Sequence, residues 1–162
     1  HRDLHSFPTR RSSDLKNIGV QRLLDGVVAL LPSPMDMPEI IGHKPHSDKE
    51  VKIVCDPDKH LVALAFKITS DKHGDLYFLR IYQGKLSKGS RVLNPNRDKK
   101  ENVTRIFEMH ANSRQLIDFA EAGNIVAVVG LKETLTGDTI CDTKDPVVLK
   151  SISFPEIGRA HV

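Results

Sequence analysis

The 162-residue chain carries 24 lysines and arginines against 21 aspartates and glutamates, with 39% hydrophobic and 28% charged residues. That supports one ordinary soluble globular domain with appendages. No apolar run approaches the roughly 18 residues a membrane span requires, and the arginine-bearing N-terminus lacks the apolar core of a secretory signal. Two cysteines, Cys55 and Cys141, fit a reducing compartment better than a disulfide framework.

Residues 1–15 and 157–162 show no periodicity and back-translate into strings that resemble the two adapters of a sequencing library. They are read as foreign and set aside, as a tag would be. Setting aside Arg2, Arg10, Arg11 and Arg159 together with Asp3 and Asp14 brings the formal charge from +3 to +1. Global basicity therefore gives no licence to infer a nucleic-acid partner, and any such contact must rest on local patches.

Lys16–Leu31 opens the native part with Val20, Leu23, Leu24, Val27, Val28 and Leu31 at helical spacing. Gly19 is a possible N-cap, and Pro32 and Pro34 stop the helix. Its apolar stripe needs a partner, expected in a preceding domain. Residues 35–60, rich in proline, read as an extended linker with a short strand at Val51–Val54.

Leu61–Leu93 carries the clearest strand pattern. Leu64, Phe66 and Ile68 alternate with Ala65, Lys67 and Thr69; then Tyr77, Leu79 and Ile81 alternate with Phe78, Arg80 and Tyr82. Polar breaks at Ser70–Asp75 and Gly84–Gly89 separate three strands of a meander, the last at Arg91–Leu93. Asn94–Lys100 turns, and Glu101–Met109 returns with Val103, Phe107 and Met109 expected on one face. Ala111–Ala122 is ambiguous, a short strand before a turn at Ala122–Gly123. Ile125–Val129 reads as the most buried strand, followed by Asp138–Cys141 and an edge strand at Val147–Ile152. Turns at this spacing predict a mainly β chain, an antiparallel barrel preceded by one amphipathic helix.

Cys55, Asp58 and His60 bring metal-ligand types together, but Asp56-Pro57-Asp58 is also an ordinary turn, and zinc favours paired ligands at defined spacings. No nucleophile elbow accompanies the scattered histidines. Asp71-Lys72-His73-Gly74 matches the D-x-x-G pattern of GTPases, yet it falls in a tight turn. No G-x-x-x-x-G-K-[ST] cradle and no N-K-x-D base reader occurs, so no catalytic residue and no metal site is assigned. Asn102-Val103-Thr104 fits a glycosylation acceptor but falls in a predicted strand. Lys85, Lys88 and Arg91 cluster at one turn, and Arg97, Lys99 and Lys100 at the next. If the two turns share a rim, they make a patch suited to phosphate contacts.

The strings KNIGVQRLLDGVVALLPSP, LRIYQGKLSKGSRVLN, MHANSR and AGNIVAVVGLKETLTGDTICD, with ISFPE, resemble the elongation factor G family of translational GTPases, over Lys16–Glu156. The resemblance implies that residues 16–34 close a truncated G domain, 61–153 form the six-stranded domain II barrel, and 154–162 lead toward domain III before the foreign tail. Lys16 matches the end of the family's guanine-contacting element. GTP and magnesium would belong to the parent protein, whose hydrolytic residues would lie upstream. The implied partners are small-subunit ribosomal RNA and the protein's own G domain, for a monomer in the cytoplasm of bacterial type. Lys85, Lys88, Arg91, Lys99 and Lys100 are the candidate RNA contacts. DKHGDL departs from the commonest family pattern. Domain II of a ribosomal-protection protein, elongation factor 4 or peptide chain release factor 3 is the alternative, with a stand-alone RNA-binding barrel or a small metal enzyme outside that class.

Overall fold

The computed structural model describes residues 19–150 other than 48, 72, 73 and 112. The two end stretches read as foreign and Lys16 lie outside them. The chain divides into two compact units at Met37/Pro38.

The first unit holds one helix, α1 (Val20–Leu30). Gly19 precedes it in a left-handed conformation (φ 83°) that glycine adopts without strain. Leu31 leaves the helix extended because the proline after it disfavours helical backbone. The Ser33 N–H and hydroxyl then both bond the Asp36 carboxylate, at 2.9 and 2.7 Å. No residue of α1 is buried.

The second unit is antiparallel β throughout. β1 (Ile40–His43) and β2 (Glu50–Ile53) lie inside the stretch read as a linker and pair with each other. β3 (Val62–Asp71) and β4 (Gly74–Gln83) form a long hairpin, and β5 (Lys85–Ser87) fills what the sequence showed as a break. β6 (Arg91–Asn94), β7 (Lys99–Asn102), β8 (Arg105–His110) and β9 (Ser113–Ile117) follow. β10 (Phe119–Glu121), β11 (Ile125–Val129), β12 (Thr139–Cys141) and β13 (Val148–Leu149) complete the order. The main sheet runs β7-β6-β12-β3-β4-β11-β8-β9, beside a β10-β5 pair and a β13-β1-β2 sheet.

Alternation places the core. Tyr77, Leu79 and Ile81 point inward with Ala63, Ala65, Val126, Val128, Ile106 and Ile140. A smaller cluster on the other side of β3 packs Val62 and Leu64 against Ile53, Val147 and Leu149. The expected face of Val103, Phe107 and Met109 is not formed. Val103 is fully buried, whereas Phe107 and Met109 are half-buried. Val103 and Thr104 separate β7 from β8 along the chain and reverse the alternation, so that Ile106 takes the inward position.

This bend brings the sheet's ends together. No ladder closes the sheet among the described residues, but β7 at one end and β8 near the other are separated by only those two residues. The Val103 N–H bonds the Ser90 carbonyl at 3.0 Å and the Thr104 N–H bonds that of Val129 at 2.8 Å. Gly130 (φ 119°) lies against the bend; a Cβ there would sit 2.3 Å from the Asn102 carbonyl oxygen.

Beside the bend, the buried Glu101 carboxylate accepts bonds from the N–H groups of Lys132 and Glu133 and from the Thr134 hydroxyl. It holds the 131–138 loop onto β7. Replacing Glu101 by leucine strands these donors, and we expect a stability loss of about 2–4 kcal/mol. Urea unfolding measures it, and Glu101→Gln should recover part of the loss.

Candidate functional site

The basic residues are positioned by the two turns that flank β6, which does not follow β4 in the expected meander: β12 and β3 lie between β6 and β4, and β5 pairs with β10. Lys85 starts β5, Lys88 lies in the β5–β6 turn and Arg91 starts β6. Arg97 lies in the β6–β7 turn, with Lys99 and Lys100 opening β7. The turn that enters a strand and the turn that leaves it fall at its opposite ends. Here β6 pairs Arg91 with Asn102, Leu93 with Lys100 and Asn94 with Lys99, so Lys88 and Arg97 fall at opposite ends of β6 while Arg91 and Lys100 are diagonal neighbours on its ladder. The structure does not bring the two turns to one rim.

Several cations are already engaged. Lys85 Nζ lies 3.2 Å from Glu121 Oε1 and 3.6 Å from the centre of the Phe119 ring, because β5 pairs with β10. Lys88 Nζ is 3.7 Å from Asp118 Oδ1. These pairs are exposed and contribute little, so an anionic partner can displace them. Arg97 differs. Its Nε donates at 2.9 Å to Asp138 Oδ2, which also accepts from the Asn94 amide and the Leu135 N–H, each at 2.9 Å. Asn94 is fully buried and Asp138 largely so, and this network fastens the β6–β7 turn to the 131–138 loop. Arg97, although exposed like Arg91, Lys99 and Lys100, is thus anchored as a structural residue.

The Asp56 carboxylate caps the turn, its Oδ1 accepting from the Asp58 N–H at 3.0 Å, and His60 Nδ1 lies 3.2 Å from Asp142 Oδ2. Among the described residues no three metal-ligand types converge. Both cysteines are free thiols. Burial pushes the Cys141 thiol up to about 11, and its Sγ donates to the Leu93 carbonyl, so it is protonated and inert at neutral pH. Asp71 and Gly74 face each other at the hairpin end of β3 and β4, while Lys72 and His73 lie outside the described residues. The Thr104 hydroxyl bonds the Val129 carbonyl at 2.8 Å, placing the acceptor-like triplet in the bend.

The sequence singled out turn charges and missed the cations that lie over aromatic rings on the strands. Lys67 Nζ is 5.4 Å from the Phe78 ring, and the guanidinium of Arg80 is 5.4 Å from Tyr82. That of Arg105 is 5.9 Å from Phe107. The alternation of Phe78, Arg80 and Tyr82 was the available signal.

Residues 74–141 match the family model described as elongation factor Tu domain 2. The antiparallel second unit is accordingly a translation-factor domain of this β-barrel type. Two curated relatives extend the match: elongation factor G 1 of Bdellovibrio bacteriovorus is 47% identical over 156 residues, covering 95% of this chain and 22% of that protein. Elongation factor G of Salinibacter ruber is 54% identical over 147 residues, covering 89% and 21%. The matches support a piece of a translation elongation factor similar to elongation factor G, and the chain spans about a fifth of the length of these relatives. The matches do not favour the alternative classes. At 95% coverage the first reaches beyond residues 16–156 into the ends read as foreign.

The His60–Asp142 pair generates a pH prediction. Burial alone would raise the Asp142 pKa, but the Lys144 N–H and then His60 outweigh it and hold the carboxyl below its ordinary 3.8. A depressed folded-state pKa contributes stability that is present above the unfolded value and lost as pH falls through the folded one. The stability gap between the native chain and Asp142→Asn should therefore persist at about pH 5–7 and narrow below about pH 4. Urea midpoints across that range check it.

Proposed function

We propose that the barrel is the ribosome-contacting domain II of a GTP-dependent translocation factor, which moves tRNA and mRNA during elongation. The carrying observation is 47% and 54% identity to two elongation factors G over nearly all of this chain. Residues 16–34 are proposed as the end of the G domain, 35–60 as its connection, 61–153 as domain II and 154–162 as the start of the next linker with a foreign tail. The apolar stripe of α1 gives the helix a face to pack on the rest of that G domain. Lys16 is proposed to close the guanine-contacting element there.

GTP and magnesium belong to the longer protein, since no phosphate cradle and no base reader occurs in these 162 residues. Titrating GTP and magnesium into this chain should give no binding heat by calorimetry; a saturable isotherm would overturn the assignment of hydrolysis to residues elsewhere.

The proposed partner is small-subunit ribosomal RNA, met by a monomeric cytoplasmic factor without a membrane. Lys85, Lys88 and Arg91 at one end of β6, with Lys99 and Lys100 at the other, are proposed phosphate contacts. Reversing Lys85, Lys88 and Arg91 to glutamate in the full-length factor should weaken ribosome binding about ten-fold or more. It should also make the log–log salt dependence shallower by about 2. Binding measured across a salt series decides it, and an unchanged affinity and slope would remove that turn from the interface.

A further inference from the structure

The outward face of the main sheet is divided. Around Val62 and Leu64 it is covered by the β13-β1-β2 sheet. Farther along, a single register row crosses five strands as Lys67, Phe78, Ala127, Phe107 and Leu116. Adjacent rows add Arg80 beside Ile125, and Arg105 beside Val129. No aspartate or glutamate occupies any of these positions. Leu116 and Ile125 are each 51% exposed, and Phe78 and Phe107 are partly exposed.

A bulge contributes to this face. Between Ala65 and Lys67 the register shifts, so Phe66 and Lys67 together oppose Phe78. The Phe66 and Phe78 ring centres are 6.3 Å apart, and Lys67 lies over Phe78. Buried Ala127 is the small floor between Phe78 and Phe107, whose strands lie two ladder spacings apart, about 10 Å.

The charge decides among occupants. A second copy would set Lys67, Arg80 and Arg105 against the same cations. A bilayer surface offers anions but no planar groups for the aromatic row. Unpaired RNA offers both: phosphates for the cations, and base faces for the rings and the neighbouring aliphatic groups. We propose that this cationic aromatic face binds an unpaired RNA segment, with bases on Phe78 and Phe107 and phosphates at Lys67, Arg80 and Arg105. This rests on the ribosome-contacting reading and adds a second surface to the turns.

The test is fluorescence anisotropy of the full chain with a fluorescein-labelled oligouridine of about 12 nucleotides. Saturable binding is expected. Phe107→Leu should weaken it about ten-fold with the salt slope unchanged. Arg105→Gln should make the slope shallower by about 0.7. Melting curves check that each variant folds, and Leu116→Ser serves in the same row if Phe107→Leu does not. No saturable binding by the native chain overturns the proposal, as does native affinity in the folded variants. Polyglutamate binding as tightly as the oligonucleotide, lost in the same variants, overturns it in favour of an acidic protein. If small subunits sediment the chain while these variants change nothing, this face fails and the ribosome reading stands. If the native chain binds neither subunits nor oligonucleotide, both fail.

Discussion

The bend at Val103–Thr104 is the constraint on which the second unit depends. A sheet of eight strands has two edges, and unpaired edges invite association with other chains. Here the strand at one end continues, two residues later, as a strand near the other end. The bend is affordable only because its polar groups are spent. The Thr104 N–H and hydroxyl both bond the Val129 carbonyl at 2.8 Å, and the Val103 carbonyl accepts from Gly89 at 2.7 Å. Burying Val103 completely adds an apolar anchor, and Gly130 leaves room for the Asn102 carbonyl.

From that bend the polar loop 131–138 takes its position. A buried carboxylate without partners would be prohibitively costly, so Glu101 is tolerable only with the loop folded over it. The loop in turn presents Asp138 to Asn94 and Arg97. Arg97 is therefore tied into the structure by its guanidinium, although it is as much at the surface as the neighbouring Lys99 and Lys100. Within one seven-residue turn, similar charges have different roles, decided by which side of the hairpin meets the loop.

Much of the fold was legible because its strongest signals are local. The inward set Tyr77, Leu79 and Ile81 and the turn at Ala122–Gly123 follow from alternation and turn chemistry; Ile125–Val129 follows from its apolar run, but it is not the most buried strand, since Ile125 is half exposed and Thr139–Cys141 is buried throughout. What was not legible depends on long-range pairing. β1 has no alternation of its own and exists because β2 and β13 flank it. β5 is three residues long and is held by β10, more than thirty residues away in sequence. The reversal of face at Val103 cannot be read from spacing, since nothing local distinguishes a bent strand from a straight one. The two basic turns looked adjacent because they are adjacent in sequence; β6 separates them in space.

The outward residues show how far alternation can be trusted. It correctly opposes Phe78, Arg80 and Tyr82 to the core, but it cannot say what lies above them. Tyr82 packs at the small second core, while Phe78, one register block away, stays partly open. The difference comes from the reach of the β13-β1-β2 sheet, two of whose strands lie before β3 and one after β12. Where that sheet stops, the bulge at Phe66 adds a ring and a cation opposite Phe78, and neutral or basic residues take every position of the exposed block. The surface left uncovered is thus set by the same strand pairing that makes the second core. An uncovered aromatic face with cations over its rings is suited to a planar, anionic partner.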